Sequence, residues 1–440
     1  MDSKAVAHPY ADRMVILLLC GFLLALAVEK WGLHRRLALM VLVRAGSSPS
    51  GLVGAVMAIT AVLSMWISNT ATTLMMLPIV LALVASARGE NEDSGANRRF
   101  SHALLLGLAY SASIGGIATP VGTPPNLIFA SVFAKHFPQA PEIDFLSWMQ
   151  VGVPASLTLL LITWVLLTQI LLKVPANYQL GDSHVLRERL ADLGPWTSPE
   201  RRVAVGFGLV CFFWIFRTKL GLPATIHDST IAALGVIGFC LFPSGSRNSC
   251  LTPGPPDSVG RDSSTGNLCF ESASVVLRPR NEGASERLLS WSDAVNVPWG
   301  LLLLFGGGIA LSAGFEETHL TEWLGGMLGG LTVLPTLVLI SGICLGVTFL
   351  TEVTSNTATT SLIQPVLAAT AKSTGVAPLL LMVPATLAAS CAFMLPVATA
   401  PNAIVVGSRA VDQATMIRVG LILNLIGVIP LTLVVWWTYG

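Results

Sequence analysis

Two short polar runs sit inside segments that are otherwise almost wholly apolar: "WISNTATTLMMLP" at 66–78 and "EVTSNTATTSLIQP" at 352–365. Ser68 and Ser355 are 287 residues apart, as are Pro78 and Pro365, so the two runs align without a gap. A second pair follows in the same order, "TPVGTPPNLIF" and "LPVATAPNAIV", with Pro120 and Pro396, and Asn126 and Asn402, each 276 apart. Ser, Asn and Thr carry hydroxyl and amide oxygens, and a chain that turns at them frees backbone carbonyls. Neutral oxygens of this kind suit a hard, weakly held cation such as sodium. Thr70 and Thr357 are placed to cap the helices that follow, and Thr123 and Thr399 stand before the prolines of two further helix starts. Helix N-termini aimed at one place offer N–H donors and positive partial charge to an anion. The doubled motif therefore reads as one cation site in each half, with an anion between them.

The elements that carry these residues must be membrane helices. The chain of 440 residues is 53% hydrophobic and 11% charged, with a mean hydropathy of +0.71, whereas soluble domains are about 25% charged. Its apolar runs reach the roughly 20 residues that cross a bilayer as helix. The reading is an all-α polytopic membrane protein. The start "MDSKAVAHPYADRM" lacks the basic region of a signal peptide, so Met14–Val28 is taken as a retained membrane helix. A net charge of +1 gives no pull toward nucleic acid. Five of the seven cysteines (Cys20, Cys211, Cys240, Cys344, Cys391) lie in or beside apolar runs and read as small packing residues; Cys250 and Cys269 do not. No catalytic triad, metal spacing or nucleotide loop is present. "GGG" at 306–308 lacks a following lysine and reads as close helix packing.

The organisation expected from the sequence is a first membrane helix plus a basic amphipathic surface helix over 1–47, with its arginines in lipid headgroups. Residues 48–138 hold two apolar arms joined at Ser68-Asn69-Thr70, readable as one very long span, two spans or a re-entrant hairpin, and a helix broken at 119–126. Residues 139–243 hold connecting spans near Val151–Leu172, Val203–Phe216 and Thr225–Phe242, and 244–290 a polar, disordered cytoplasmic insert. A helix and surface segment at 291–330, a second hairpin and broken helix at 331–412, and a last span at 413–440 complete the chain. His34, Arg35, Arg36 and Arg44 follow the first helix, where the second half has Glu316, Glu317 and Glu322. Basic short loops stay in the cytoplasm, which predicts that the halves are inverted; Arg217 and Lys219 lie on the opposite side of that scheme. Paired broken helices in inverted halves are the pointer to a transporter site near the bilayer midplane. Glu29 and Glu352 are expected in structural pairing or at an interface, not as proton carriers. With no other carboxylate in a span, sodium is the expected coupling ion.

The doubled "SNTATT" and "ASCAFMLPVATAPNAIV" (389–405), together with "LALAVEKWGLHRRLAL" (24–39), resemble the divalent anion:sodium symporter family. The resemblance runs from Met14 to Trp437 apart from the polar insert, and implies a multi-pass protein of the plasma or cell inner membrane. It implies an elevator-type homodimer, built as an inverted repeat with two re-entrant hairpins, that carries dicarboxylates, citrate or sulfate with sodium. By that resemblance Ser64, Ser68, Asn69, Gly122 and Asn126 build one sodium site, and Thr351, Ser355, Asn356, Ala398 and Asn402 the other. Asn69, Thr70, Asn356 and Thr357, with Pro125 and Pro401, face the substrate. Members generally carry further spans ahead of the segment matching Met14, so this chain is short at that end. The leading expectation is symport of a C4-dicarboxylate such as succinate, with sulfate symport or a passive anion channel as alternatives.

Overall fold

The computed structural model describes residues 3–45, 48–86, 95–175, 184–223, 225–245, 286–320, 323, 326 and 334–440. Among them the chain is helical throughout, and its helices fall into two series with the same order. The first is α1 (Arg13–Lys30), α2 (Leu33–Arg44), α3 (Pro49–Ser64), α4 (Asn69–Ser86), α5 (Gly95–Gly116), α6 (Pro124–His136) and α7 (Phe145–Val165). After α8 (Ser198–Phe216) and α9 (Asp228–Leu241), the second series runs α10 (Trp299–Glu317), α11 (Thr336–Thr351), α12 (Asn356–Thr374), α13 (Pro378–Ala389), α14 (Ala400–Gly407) and α15 (Gln413–Tyr439). The polar insert lies outside the described residues except for its edges, where Pro243 and Arg287 form an antiparallel bridge.

Among the described residues, three helices are long and apolar enough to cross a membrane: α4, α7 with its π-helical extension to Leu171, and α15. The bent pair α1–α2 makes a fourth candidate, turning by 65° at Trp31-Gly32. Gly32 has φ +69°, a left-handed conformation that a residue with a Cβ adopts only with strain, and this sets the turn. The span expected at Val151–Leu172 starts earlier, at Phe145, because Asp144 caps it by accepting from Ser147 N at 2.8 Å.

Each hairpin packs on the broken helix of its own half, α3 on α5 and α11 on α13. The pieces after the breaks cross over: α6 lies on α12, and α14 lies on α4 and α5. Glycines make the approaches close, since a Cβ on Gly115 would meet Ala61 O at 2.3 Å and one on Gly420 would meet Phe393 O at 2.1 Å. The Gly306–Gly308 run acts in the same way. Gly306 admits the ring of Tyr10, and Gly308 admits Ser361 of α12. The five cysteines expected as packing residues are free thiols, buried or half-buried.

One surface expectation is corrected. Arg35 and Arg44 of α2 are exposed, but Arg36 is buried and pairs with buried Glu200 at 3.0 Å. Its guanidinium also donates to the carbonyls of Leu193, Gly194 and Pro195. A buried guanidinium needs every donor satisfied, and the loop before α8 provides the acceptors. Arg217, on the opposite side of the charge scheme, is likewise structural: it is buried within 3.3 Å of Asp228 and 3.8 Å of Asp144.

Candidate functional site

The two hairpin tips are built alike. In the first, Ser64 Oγ ends α3 fully buried, 2.7 Å from Asn69 Oδ1 and 2.6 Å from Ala112 O, with one proton to share between them. In the second, Thr351 Oγ1 lies 2.7 Å from Asn356 Oδ1 and 2.9 Å from Ala389 O. The asparagine carbonyls accept from the hydroxyl one turn along, Thr73 Oγ1 on Asn69 O at 2.7 Å and Thr360 Oγ1 on Asn356 O at 2.8 Å. The caps differ from expectation by two residues. Ser68 Oγ accepts from Ala71 N at 3.2 Å and Ser355 Oγ from Ala358 N at 3.1 Å, so the serines, not Thr70 and Thr357, cap α4 and α12. The helices begin at the asparagines, which places each threonine inside its first turn.

The breaks repeat the same logic. Asn126 is buried and its Nδ2 donates to Thr119 O at 2.7 Å and Gly116 O at 3.1 Å. Asn402 is buried and its Nδ2 donates to Ala392 O and Leu395 O, both at 3.1 Å. Each asparagine thus ties carbonyls that the broken helix has freed. In both, the Oδ1 atom is buried with no hydrogen-bond partner among the described residues. Buried polar atoms are rarely left so, and two at positions 276 apart are a matched pair of oxygens available to a ligand. Thr123 and Thr399 stand as the N-caps of α6 and α14, as the spacing predicts, and Pro125 and Pro401 are buried in the first turns.

Ser64, Asn69, Gly122 and Asn126 are brought into one cluster at Gly116. A Cβ there would fall 2.7 Å from Asn69 Oδ1 and 3.1 Å from Gly122 O, and Gly116 O is the atom Asn126 holds. Thr351 and Asn356 are joined directly, while Ala398 is buried and its N–H donates to the Leu395 carbonyl that Asn402 also holds. Thr357 is buried and Thr70 is exposed.

Of the residues that pin the breaks, only Glu352 was expected in structural pairing; Thr119, Trp148 and Asn424 were not legible in advance. Thr119 Oγ1 donates to Met65 O and accepts from Gly122 N, and Trp148 Nε1 donates to Ile117 O at 2.9 Å. In the second half Glu352 sits at Met65's register (65 plus 287) and Asn424 at Trp148's (148 plus 276). The only advance signal is this pair of registers, in which the two halves differ. Among the described residues no group of three or more His, Cys, Asp and Glu is placed to hold a metal ion. The oxygens on offer are hydroxyls, amides and carbonyls.

Two helical series whose neutral oxygens and freed carbonyls meet at paired chain breaks define a secondary transporter of the membrane. The family described as the sodium:sulfate symporter transmembrane region matches residues 2–439, and the chain belongs to that family, the divalent anion:sodium symporters. It is a sodium-coupled multi-pass transporter, not an enzyme. A sodium-dependent dicarboxylate transporter of Staphylococcus saprophyticus is 35% identical over 445 residues, covering 99% of this chain and 78% of the relative. Its Staphylococcus aureus counterpart is 36% identical over 444 residues with the same coverage. The fold is shared with the YdaH transporter of Alcanivorax borkumensis (TM-score 0.62, 13% identity, 100% of this chain and 88% of that one). It is shared also with MtrF of Neisseria gonorrhoeae (TM-score 0.61, 13% identity, 98% and 82%).

Proposed function

We propose that this chain takes up C4-dicarboxylates such as succinate together with sodium. Sodium is held by Ser64, Ser68, Asn69, Gly122 and Asn126 in one half, and by Thr351, Ser355, Asn356, Ala398 and Asn402 in the other. The dicarboxylate lies between them, on Asn69, Thr70, Asn356 and Thr357 and the proline-started turns at Pro125 and Pro401. The observation that carries this reading is the matched pair of unpartnered oxygens on Asn126 and Asn402. They are neutral acceptors beside freed carbonyls, which is a donor set for a hard monovalent cation. Substrate class follows the staphylococcal relatives, which are dicarboxylate transporters by name.

The architecture fits alternating access. α3 and α11 each have 16 residues, about 24 Å of helix against a hydrocarbon core of about 30 Å. Each first arm therefore stops inside the membrane, and we read both hairpins as re-entrant and the halves as inverted. The hairpins and broken helices, 48–138 and 331–412, form the moving body, and the chain works as an elevator-type homodimer.

The test is labelled succinate uptake into proteoliposomes under a sodium gradient, with potassium replacing sodium in the control. Uptake is expected only with sodium, and Asn69→Ala is expected to abolish it while the protein still inserts. Equal uptake in potassium would instead indicate a passive anion channel. Sodium-driven uptake of sulfate but not succinate would reassign the substrate.

A further inference from the structure

Glu352 is a buried carboxylate in an otherwise neutral site. Its Oε1 accepts from Phe393 N at 2.7 Å and Met394 N at 2.8 Å, and its Oε2 from Leu395 N at 2.9 Å. Asn424 Nδ2, from α15, donates to Oε1 at 2.7 Å. Three consecutive N–H groups of the unwound segment thus converge on one side chain. These are the donors a broken helix leaves unsatisfied, and the carboxylate collects them. The same segment carries Leu395 O, one of the two carbonyls that hold Asn402. The residue before Glu352 is Thr351, whose hydroxyl meets Asn356 Oδ1.

We infer that Glu352 is a positioning residue of the second cation site: it fixes the Phe393–Leu395 backbone that aims Asn402 Oδ1, and places a fixed negative charge beside that site. The first half has no such device. Met65 stands at the equivalent position, and the first break is held by Thr119, Trp148 and Ser156, all neutral. No cationic side chain lies within ion-pair distance of Glu352 among the described residues, so its charge rests on N–H dipoles and one amide. Among the described residues, a sodium ion in the neighbouring site then has no cationic side chain at ion-pair distance from Glu352 to compete with it. The two cation sites are consequently unequal, the second drawing sodium by charge as well as by oxygens.

The inference rests on the sodium sites proposed above, so its test needs no transported anion. Sodium-dependent thermal stabilisation of the purified full chain is titrated with choline as the balancing ion. Uptake at saturating sodium is measured in parallel. Glu352→Gln is expected to raise the sodium concentration for half-maximal stabilisation at least tenfold, the effect a full charge still exerts from about 12 Å away at an effective dielectric constant near 20. Half-saturation by succinate, read at saturating sodium, should move less than about twofold, because sodium loading alone is impaired. Asn424→Ala leaves the carboxylate and its three N–H bonds and should raise the sodium midpoint by about threefold, the size of one net hydrogen bond. If Glu352→Gln folds poorly, this variant decides: an unmoved midpoint overturns the role. A Glu352→Gln midpoint equal to wild type also overturns it, as does a succinate half-saturation that weakens in proportion to sodium. A wild-type protein that sodium does not stabilise at all would sink the cation sites themselves.

Discussion

At the residue scale the site depends on close approach as much as on its oxygens. Gly116 is the meeting point of the first half, and a Cβ placed there would lie 2.7 Å from Asn69 Oδ1 and 3.1 Å from Gly122 O. The second neighbour is backbone and cannot rotate away. Gly116→Ala is therefore expected to cost about 1–3 kcal/mol of packing strain and to cut sodium-dependent succinate uptake at least tenfold, with surface or vesicle expression retained. Uptake within a factor of two of wild type would show that Asn69 and Gly122 are not held as described. The repeated Ser, Asn and Pro positions were readable because a polar side chain in an apolar run is itself a signal. The capping residue was misread by two positions, since sequence offers Ser68 and Thr70 equally and only the helix start at Asn69 decides between them. Arg36 was misread because an arginine on a basic amphipathic stretch looks like a headgroup contact, and its partner Glu200 is 164 residues away. Glu352 was expected in structural pairing, but with which partners was hidden for a different reason. Its partners are mainly backbone N–H groups, which no residue type advertises.

At the scale of elements, the breaks are held open rather than left loose. Trp148 Nε1 reaches Ile117 O at 2.9 Å and Ser156 Oγ reaches Ile114 O at 2.8 Å, both from α7 onto the end of α5 and the break that follows. Trp148→Phe keeps the ring bulk and leaves a buried carbonyl with one partner fewer, an expected loss of about 1–3 kcal/mol that should show as a lower melting temperature in detergent. The start of α7 adds an ionic term. Burial alone pushes the Asp144 carboxyl up, but hydrogen bonds from Thr218 and Ser147 and the nearby Arg217 charge outweigh it and hold it below the ordinary carboxylate range. A carboxyl lowered on folding stabilises fully above its unfolded value, and that contribution is lost as pH falls through the lower folded value. The melting temperature should thus drop as pH falls below about 4, and Asp144→Asn should flatten that part of the profile. An unchanged slope in Asp144→Asn would remove Asp144 from the cluster. The order of elements was legible because the pattern of apolar runs, prolines and polar breaks occurs twice. The crossing of α6 onto α12 and α14 onto α4 was not, since it is a matter of which apolar surfaces meet and any apolar face suits another.

At the scale of the whole molecule the two halves, so alike locally, are unlike in exposure. Trp66 at the first hairpin tip is half-buried and stacks on Phe145 and Trp214 at centroid distances of 5.9 and 6.4 Å. Its register partner in the second hairpin, Val353 (66 plus 287), is 70% exposed. Around the half-buried tip stands the ion cluster in which Arg13 of α1 meets Glu142 at 3.2 Å and Arg217 at the end of α8 meets Asp144 and Asp228. Glu142 and Asp144 lie on the connection that leaves α6, in the half-site's own continuation, while Arg13, Arg217 and Asp228 belong to α1, α8 and α9. If the hairpins and broken helices move as one body and carry the adjoining 139–144 connection with them, this cluster must part on every cycle, and the stack of Trp66 on Trp214 must part with it. Arg13 and Glu142 have side chains 37% and 32% exposed, which makes them reachable by thiol reagents. Paired cysteines at Arg13 and Glu142, bridged by a short bifunctional reagent, should therefore stop sodium-driven uptake, and a reductant that cleaves the bridge should restore it. Each single-cysteine variant, treated alike, controls for the chain's own thiols. Sodium with succinate should lower the bridging yield, because a ligand shifts the population toward the conformation it binds better. Full uptake by the bridged protein would mean that α1 and the α6–α7 connection travel together, and the boundary between the moving and fixed bodies would have to be drawn elsewhere.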